Sequence, residues 1–289
     1  MRRTMIPLRI HQRAAMCENG ASSRKLYGLL GHPLGHSFSA AYFRSKFQKG
    51  HFGEAVYENF DFADLEQGVD WLKKACCLQG FNVTIPYKKE IVPYLDGLSD
   101  EAAAIGAVNV VEADPGTGRW IGHNTDAIGF WESFQDFLHG LDLNQGVKVL
   151  ILGNGGASQA VQYALARHGI LYDLVCRPGH GPENSSNPAF SPQQIWDYGS
   201  LREEVVRNEF SVIVNTTSLG MFPHVDAAPS VPYQALDASR FAFDLIYNPE
   251  ETLFLKRCRA QGARIRNGLD MLHRQAEAAW RIWTAREIP

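Results

Sequence analysis

A run of apolar residues that leads directly into a glycine-rich turn restricts the fold of this chain more than any other feature. Residues 147–152 read VKVLIL, the pattern of a buried strand, and residues 153–158 read GNGGAS, ahead of a helix-forming stretch. In dinucleotide-binding folds one glycine permits the tight turn, another lets the pyrophosphate approach, and free helix N–H groups face the phosphates. The pattern therefore predicts a strand, turn and helix that bind a dinucleotide through Gly153, Asn154, Gly155, Gly156 and Ala157. A turn that binds nothing is the alternative, and Ser158 departs from the strict motif, which has glycine there.

Short apolar runs recur along the chain and alternate with longer segments that can hold helices, which is the rhythm of α/β folds. Two series of them predict two α/β units. The first series is Leu26–Leu30, a segment to Lys49, Val56–Phe60, a segment to Leu78, Gly80–Thr84 and then Lys88–Leu95. The second is Val147–Leu152, Leu171–Cys176, Ser211–Asn215, Phe241–Leu245 and Arg264–Ile265. Small and polar residues crowd Pro178–Pro192, which predicts a surface loop.

Composition excludes several classes of partner. The 289 residues carry a net charge of −3 and the basic residues are spread through the chain, so neither nucleic acid nor an anionic membrane is indicated. No apolar run approaches the length of a membrane helix. The expected partners are small molecules. An odd, scattered set of cysteines argues against disulfides and metal sites and favours a reducing cytoplasm; these residues are Cys17, Cys76, Cys77, Cys176 and Cys258.

Residues 1–24 are predicted to be a disordered leader. They contain several arginines and one acidic residue, which superficially resembles an organelle transit peptide. A start codon assigned too early, with Met16 as the alternative start, is the other interpretation.

Two further segments of the second series point to the cofactor. The strand Leu171–Cys176 ends at Arg177, where an NAD-specific fold places an acid for the ribose 2′-hydroxyl. An arginine suits a 2′-phosphate instead, so the sequence favours NADP(H), with NAD(H) as the alternative cofactor and a solvated loop arginine as the interpretation without a ligand. Residues 215–221, NTTSLGM, follow another predicted strand and are expected to line the cofactor cleft.

Polar residues of the first half stand where packing alone would not require them. Ser37 and Ser39 lie at the start of a predicted helix, which favours an anion such as a carboxylate, although an N-cap serine needs no ligand. Lys88 follows a strand and a proline, and Asp126 ends the segment GHNTD. Brought together in a cleft, these two would suit alcohol–ketone chemistry, because one group moves the proton of the oxygen and the ammonium stabilises the developing alkoxide.

Eight ordered motifs together resemble the shikimate dehydrogenase family, from about Tyr27 to Trp283: GHPLGHSFS, FNVTIPYK, IGAVNVV, GHNTD, GNGGAS, NTTSLGM, DLIYNP and NGLDMLHRQA. The resemblance implies an oxidoreductase that reduces 3-dehydroshikimate to shikimate with NADPH in aromatic amino-acid biosynthesis. It also implies an α/β substrate-binding domain of residues 25–126 and 268–289 and a Rossmann-like, doubly wound NADP-binding domain of residues 127–267. The C-terminal helix would return to the first domain.

The resemblance further implies roles for individual residues. Lys88 and Asp126 would form the catalytic pair. The substrate carboxylate would meet Ser37 and Ser39, with Tyr247 nearby, and the ring hydroxyls would meet Thr84, Asn109 and Gln275. The expected cofactor contacts are Gly153, Asn154, Gly155, Gly156, Ala157, Arg177, Thr216, Thr217, Leu219, Gly220, Met221 and Gly268, and no metal is implied.

One departure from the family pattern bears on the cofactor. The usual asparagine-arginine-threonine or -serine triplet reads Cys176-Arg177-Pro178, and Pro178 has neither an N–H nor a hydroxyl to offer a 2′-phosphate. A quinate/shikimate dehydrogenase that uses NAD as well as NADP is therefore one alternative. A non-catalytic shikimate-binding regulator is another, and the chain is expected to be a monomer or a homodimer.

Overall fold

The computed structural model describes residues 25–35, 38–50, 52–139, 146–179 and 191–285. The predicted leader, Ser37 and most of the predicted loop Pro178–Pro192 lie outside the described residues. By its contacts the chain divides into an N-terminal unit, Met1–Asn124 with Ala279–Pro289, and a second unit, Thr125–Ala278. The domain limits inferred from the sequence stay a prediction beside this division.

The N-terminal unit contains a mixed sheet of six strands in its described part. The elements are β1 Lys25–Gly31, α1 Phe38–Gly50, β2 Ala55–Asp61, α2 Leu65–Lys73, β3 Leu78–Val83, a short 3-10 helix Val92–Tyr94, β4 Gly97–Leu98, α3 Asp100–Ile105, β5 Val110–Ala113 and β6 Trp120–His123. The strands lie in the order β2-β1-β3-β5-β6-β4. Strand β1 pairs in parallel with β2 and β3, whereas β5 runs antiparallel to both β3 and β6.

Local capping residues fix where these helices begin and end. Asp64 accepts a hydrogen bond from the Gln67 N–H at the start of α2, and Ser99 accepts one from the Ala102 N–H at the start of α3. Helix α3 stops at Gly106, whose φ of 69° is a left-handed conformation that costs glycine little.

A tryptophan from the end of the chain packs on the sheet of the N-terminal unit. The indole N–H of Trp283 donates to the carbonyl of Val111 at 3.0 Å. A Cβ on Gly80 would lie 2.3 Å from the Trp283 Nε1 atom, so only glycine leaves room for this ring. Trp283 belongs to the last helix, α8, Leu269–Thr284, which the division by contacts cuts after Ala278.

The second unit contains a sheet whose described strand pairs are all parallel. The elements before α8 are α4 Asp126–Phe137, β7 Lys148–Leu152, α5 Gly156–Arg167, β8 Leu171–Cys176, β9 Ile195–Asp197, α6 Glu203–Glu209, β10 Val212–Asn215, a 3-10 helix Tyr233–Ala235, β11 Phe241–Asp244, α7 Leu253–Ala260 and β12 Arg264–Arg266. The strands lie in the order β12-β11-β10-β7-β8-β9. This is the doubly wound order of a Rossmann-like fold, and the strand order reverses between β7 and β10, where such folds bind ligands.

The predicted α/β class with a Rossmann-like sheet is confirmed. Each strand expected in the second series is present, whereas β4, β5, β6 and β9 were not among the expected runs. The segment Lys88–Leu95 consists of turns and the short 3-10 helix. Along the described residues, none of the helices combines the length and apolar character that crossing a membrane requires.

Candidate active site

The glycine turn of the second unit follows β7 directly. Gly153 has a φ of 102°, which side-chain-bearing residues rarely adopt, and its N–H donates to the carbonyl of Val175 at 2.8 Å. A Cβ there would lie 2.9 Å from Cγ2 of Thr217. Both the backbone conformation and the close approach of Thr217 therefore require glycine at this position.

The start of α5 has the shape that a phosphate needs. Gly155 is the N-cap residue and Gly156 begins the helix, and a Cβ built on either would meet no described atom within 4 Å. Open space in front of free helix N–H groups is where a pyrophosphate binds. The residues present therefore fit a dinucleotide.

Ser158, the departure from the strict glycine motif, joins the helix to the turn. Its hydroxyl is fully buried, donates to the Gly153 carbonyl at 2.7 Å and accepts from Nε2 of Gln162 at 3.0 Å. The third motif position thus gains a hydrogen bond that glycine could not make.

The turn after β10 lies against the glycine turn. Thr216 donates from both its N–H and its hydroxyl to the Leu152 carbonyl, at 3.0 and 2.7 Å. Thr217 donates from its N–H and hydroxyl to Oδ1 of Asn215, at 3.0 and 2.7 Å. Since β7 and β10 flank the reversal of strand order, the predicted cofactor residues of both turns meet at one edge of this sheet.

Further along this turn, Gly220 has a φ of 97°, and two apolar side chains remain exposed: Leu219 at 41% and Met221 at 42%. Exposed apolar groups beside a polar turn offer contact surface to the flat ring of a ligand.

Arg177 is exposed directly after β8, beside a buried Cys176. In the neighbouring strand, Asp197 stands opposite Cys176, and its hydrogen bonds from the Ser200 and Gly199 N–H groups hold the pKa of its carboxyl below the ordinary value. Burial raises the pKa of Tyr198 to about 12, against the opposing effect of the Arg177 charge. An arginine suited to a 2′-phosphate thus follows a strand whose neighbour carries an ionised, exposed carboxylate.

In the N-terminal unit, a buried tyrosine connects two polar side chains. Tyr57 hydrogen-bonds to the side chain of Ser39, in the first turn of α1, and donates to Oδ1 of Asn82 at 2.7 Å. Burial raises the pKa of Tyr57 well above its ordinary value, so its hydroxyl keeps the proton that it donates. Asn82 in turn donates from Nδ2 to the Asn109 carbonyl at 3.3 Å.

Backbone hydrogen bonds bring three of the sequence motifs of this unit together. The Val83 N–H donates to the Asn109 carbonyl at 2.8 Å, and the Val108 N–H donates to the Lys88 carbonyl at 2.7 Å. The Asn109 N–H donates to the His123 carbonyl at 3.1 Å. The candidate residues Thr84, Lys88 and Asn109 therefore lie in one cluster, at the ends of β3 and β5.

Asp126 and Gln275 lie in the second unit. Asp126 begins α4 and is buried, and the hydroxyl of its neighbour Thr125 donates to Oε1 of Gln275 at 3.5 Å. A Cβ on Gly129 would lie 2.9 Å from Cβ of Gln275, so α4 and α8 pack closely there. Because Lys88 belongs to the other unit, its pairing with Asp126 stays a prediction.

The remaining predicted residues of the second unit are Tyr247 and Gly268. Tyr247 is half-buried, and burial raises the pKa of its phenol. A Cβ on Gly268 would lie 2.0 Å from the Leu245 carbonyl oxygen, which explains the glycine by packing alone.

The sequence-based set omits a loop anchor in the N-terminal unit. The Asp61 carboxylate at the end of β2 contacts Nδ1 of His32 at 2.7 Å and accepts from the Leu34 N–H at 3.1 Å. It thereby holds His32 and Leu34, the residues that directly follow β1. The set also omits Asn82 and Tyr57, and an asparagine inside an otherwise apolar strand was the available signal for the first of them.

Comparisons with known proteins cover nearly the whole chain. Residues 29–111 match the family model described as the shikimate dehydrogenase substrate binding domain. A shikimate dehydrogenase (NADP(+)) of Caldanaerobacter subterraneus subsp. tengcongensis is 40% identical over 267 residues, which are 91% of this chain and 92% of that protein.

Solved structures show the same two-domain architecture. Shikimate 5-dehydrogenase from Thermus thermophilus, in complex with NADP(H) and shikimate, matches with a TM-score of 0.76 at 32% identity and covers 90% of this chain and 94% of its own. Quinate dehydrogenase from Corynebacterium glutamicum, in complex with NAD, matches with a TM-score of 0.78 at 29% identity, over 91% of this chain and 94% of its own.

Proposed function

Because the chain belongs to the shikimate dehydrogenase family, we propose that it catalyses the reversible, NADPH-dependent reduction of 3-dehydroshikimate to shikimate. The glycine turn carries this proposal: Gly153 has a left-handed backbone, and no described atom lies within 4 Å of a Cβ built on Gly155 or Gly156 at the start of α5. Those two features are what a strand end needs in order to hold a dinucleotide.

When bound, the nicotinamide supplies a hydride to the carbonyl carbon of the substrate. Lys88 and Asp126 transfer the proton to or from the substrate oxygen at that carbon, and the ammonium of Lys88 stabilises the negative charge that develops on this oxygen. Ser37, Ser39 and Tyr247 would hold the carboxylate.

Thr84, Asn109 and Gln275 would orient the ring through its hydroxyls. Tyr57 supports the two residues that it hydrogen-bonds, Ser39 and Asn82.

A second candidate is a quinate/shikimate dehydrogenase that accepts NAD. It is favoured by the surroundings of Arg177: Pro178 has no N–H to offer, and Asp197 is ionised beside the strand end. The quinate dehydrogenase named above was solved with NAD. We further propose that the protein binds small molecules, lies in the cytoplasm and is a monomer or a homodimer.

The test is the absorbance of the reduced nicotinamide, followed with shikimate and with quinate, each in the presence of NADP and of NAD. We expect the highest kcat/KM for shikimate with NADP. A higher value for quinate or for NAD would favour the second candidate. Binding of shikimate with no change in absorbance under any condition would indicate a non-catalytic regulator and contradict both.

A further inference from the structure

A fully buried carboxylate at the end of β11 has no part in the proposed reaction. Asp244 accepts hydrogen bonds at Oδ1 from Nδ2 of Asn215 and from the Ile246 N–H, both at 3.0 Å. Its Oδ2 lies 2.5 Å from the Thr252 hydroxyl. Thr252 donates from this hydroxyl to Asp244 and accepts from the Leu255 N–H at the start of α7. Each of these described neighbours therefore donates, which suits an ionised carboxylate.

The contact with Asp244 fixes the orientation of the Asn215 side chain. Since Nδ2 of Asn215 donates to Asp244, its Oδ1 faces the other way and accepts from the N–H and the hydroxyl of Thr217. The Thr217 hydroxyl also accepts from the Leu219 N–H at 3.2 Å. A continuous chain of hydrogen bonds thus runs from the buried carboxylate to the turn that lies against Gly153.

We propose that Asp244 is a positioning residue for the cofactor turn: its ionised carboxylate orients Asn215, which holds residues 216–221 in the shape that binds the dinucleotide. This inference rests on the proposed function. It assigns Asp244 no contact with the cofactor, only control over groups that make such contacts. Protonation would turn one of the two carboxyl oxygens into a donor, so that oxygen would no longer accept in the same way from its neighbour, Asn215 or Thr252.

Control of this kind makes cofactor binding depend on pH near neutrality. Burial raises the pKa of Asp244 to about 7, although the hydrogen bonds from Thr252, Ile246 and Asn215 oppose the increase. The titratable groups that interact with Asp244 are Cys258 on α7 and Tyr233 in the 3-10 helix, and Arg257 lies beside Tyr233. Affinity for the dinucleotide should therefore fall as the pH drops through about 7.

The stability of the fold responds in the opposite direction. Because the pKa in the folded state, about 7, exceeds the ordinary value of 3.8, protonated Asp244 stabilises the folded protein. That contribution is fully present below pH 3.8 and is lost as the pH rises through about 7. Asp244→Asn removes the charge but places an N–H₂ group where one of the neighbours of Asp244 donates, so its free energy of unfolding is measured at pH 8 beside the Kd values. A purely structural role would not combine unchanged stability with weaker cofactor binding.

The experiment is a fluorescence titration of NADPH and of NADH into the unaltered protein and into Asp244→Asn at pH 8. We expect Kd to rise about tenfold for both dinucleotides, the effect of roughly one lost hydrogen bond. Asp173→Asn is the matched control, because Asp173 is equally buried in the same sheet but bonds to Lys148 and Trp196. An equal Kd in Asp244→Asn and the unaltered protein, or an equal increase in both variants, would overturn the inference.

A second measurement uses only the unaltered protein and so does not depend on whether a variant folds. In the unaltered protein, Kd for NADH should rise between pH 8 and pH 6, and NADH carries no 2′-phosphate that titrates in this range. A Kd for NADH that is constant over this range would overturn the inference while shikimate oxidation with NADP still supports the proposed function. If the unaltered protein binds neither dinucleotide, the proposed function fails first.

Discussion

In the N-terminal unit the candidate groups are side chains, supported by a buried tyrosine and asparagine and by backbone hydrogen bonds, whereas in the second unit most candidate groups are backbone groups of two turns. Tyr57, Asn82 and Asn109 are buried. The Tyr57 hydroxyl donates a hydrogen bond to Asn82, and Asn82 donates one to the Asn109 carbonyl. Gly153 and Gly155 instead offer a left-handed turn and open space. Substitutions should therefore act through lost chemical groups in the first unit and through added atoms or altered backbone in the second.

The largest effect on activity is expected for Lys88, the side chain proposed to take part in proton transfer. Lys88→Ala should lower kcat by about 10²–10⁴-fold and leave KM for shikimate nearly unchanged, because the group acts in the transition state. Lys89→Ala removes the adjacent exposed lysine and serves as the control. A kcat for Lys88→Ala close to that of Lys89→Ala would remove Lys88 from the catalytic role.

The contrast between the units also explains what the sequence could predict. Strands of the second unit such as β7 contain a continuous apolar run, here Val149–Leu152, because a parallel sheet buries both of its faces. Strands Val110–Ala113 and Trp120–His123 are as short as β10 and β11, but Glu112 and Gly122 interrupt their apolar residues, so no continuous apolar run marks them in the sequence.

Site residues divide in the same way. The glycine turn was predictable because its conformation depends on residues adjacent in sequence. The pairs Tyr57–Asn82 and Asn215–Asp244 are 25 and 29 residues apart, and nothing in local sequence specifies which polar side chains meet across strands.

The glycine turn of the second unit, which acts through its backbone, is best tested by adding a single carbon atom. Gly153→Ala imposes a φ of 102° on alanine and brings Cβ to 2.9 Å from Cγ2 of Thr217. We expect a loss of about 1–3 kcal/mol in stability and weaker dinucleotide binding. The control is Gly169→Ala, where φ is 71° but no described atom lies within 4 Å of the added Cβ. Equal dinucleotide affinity in the two alanine variants would show that contact with Thr217 is irrelevant.

Arg177 is the exception within the second unit, because it is a side chain expected to act by charge. Arg177→Ala should raise Kd for NADPH about tenfold, as expected for one charge-assisted hydrogen bond, and leave Kd for NADH unchanged. NADH is the internal control, since it lacks the 2′-phosphate. Equal changes in Kd for the two dinucleotides would mean that Arg177 does not bind the 2′-phosphate.

The smallest effect tests whether side chains of the N-terminal unit depend on one another. Tyr57→Phe keeps the buried ring and removes the hydroxyl that bonds to Ser39 and donates to Asn82. Loss of a neutral hydrogen bond should raise KM for shikimate roughly three- to tenfold, with kcat changed less, because substrate contacts loosen and the proton-transfer groups stay in place. The control is Tyr27→Phe, because Tyr27 is equally buried and stands opposite Tyr57 in the paired strand. If both phenylalanine variants raise KM equally, the effect belongs to the packing of the sheet; if only Tyr57→Phe does, this site depends on hydrogen bonds between its own side chains.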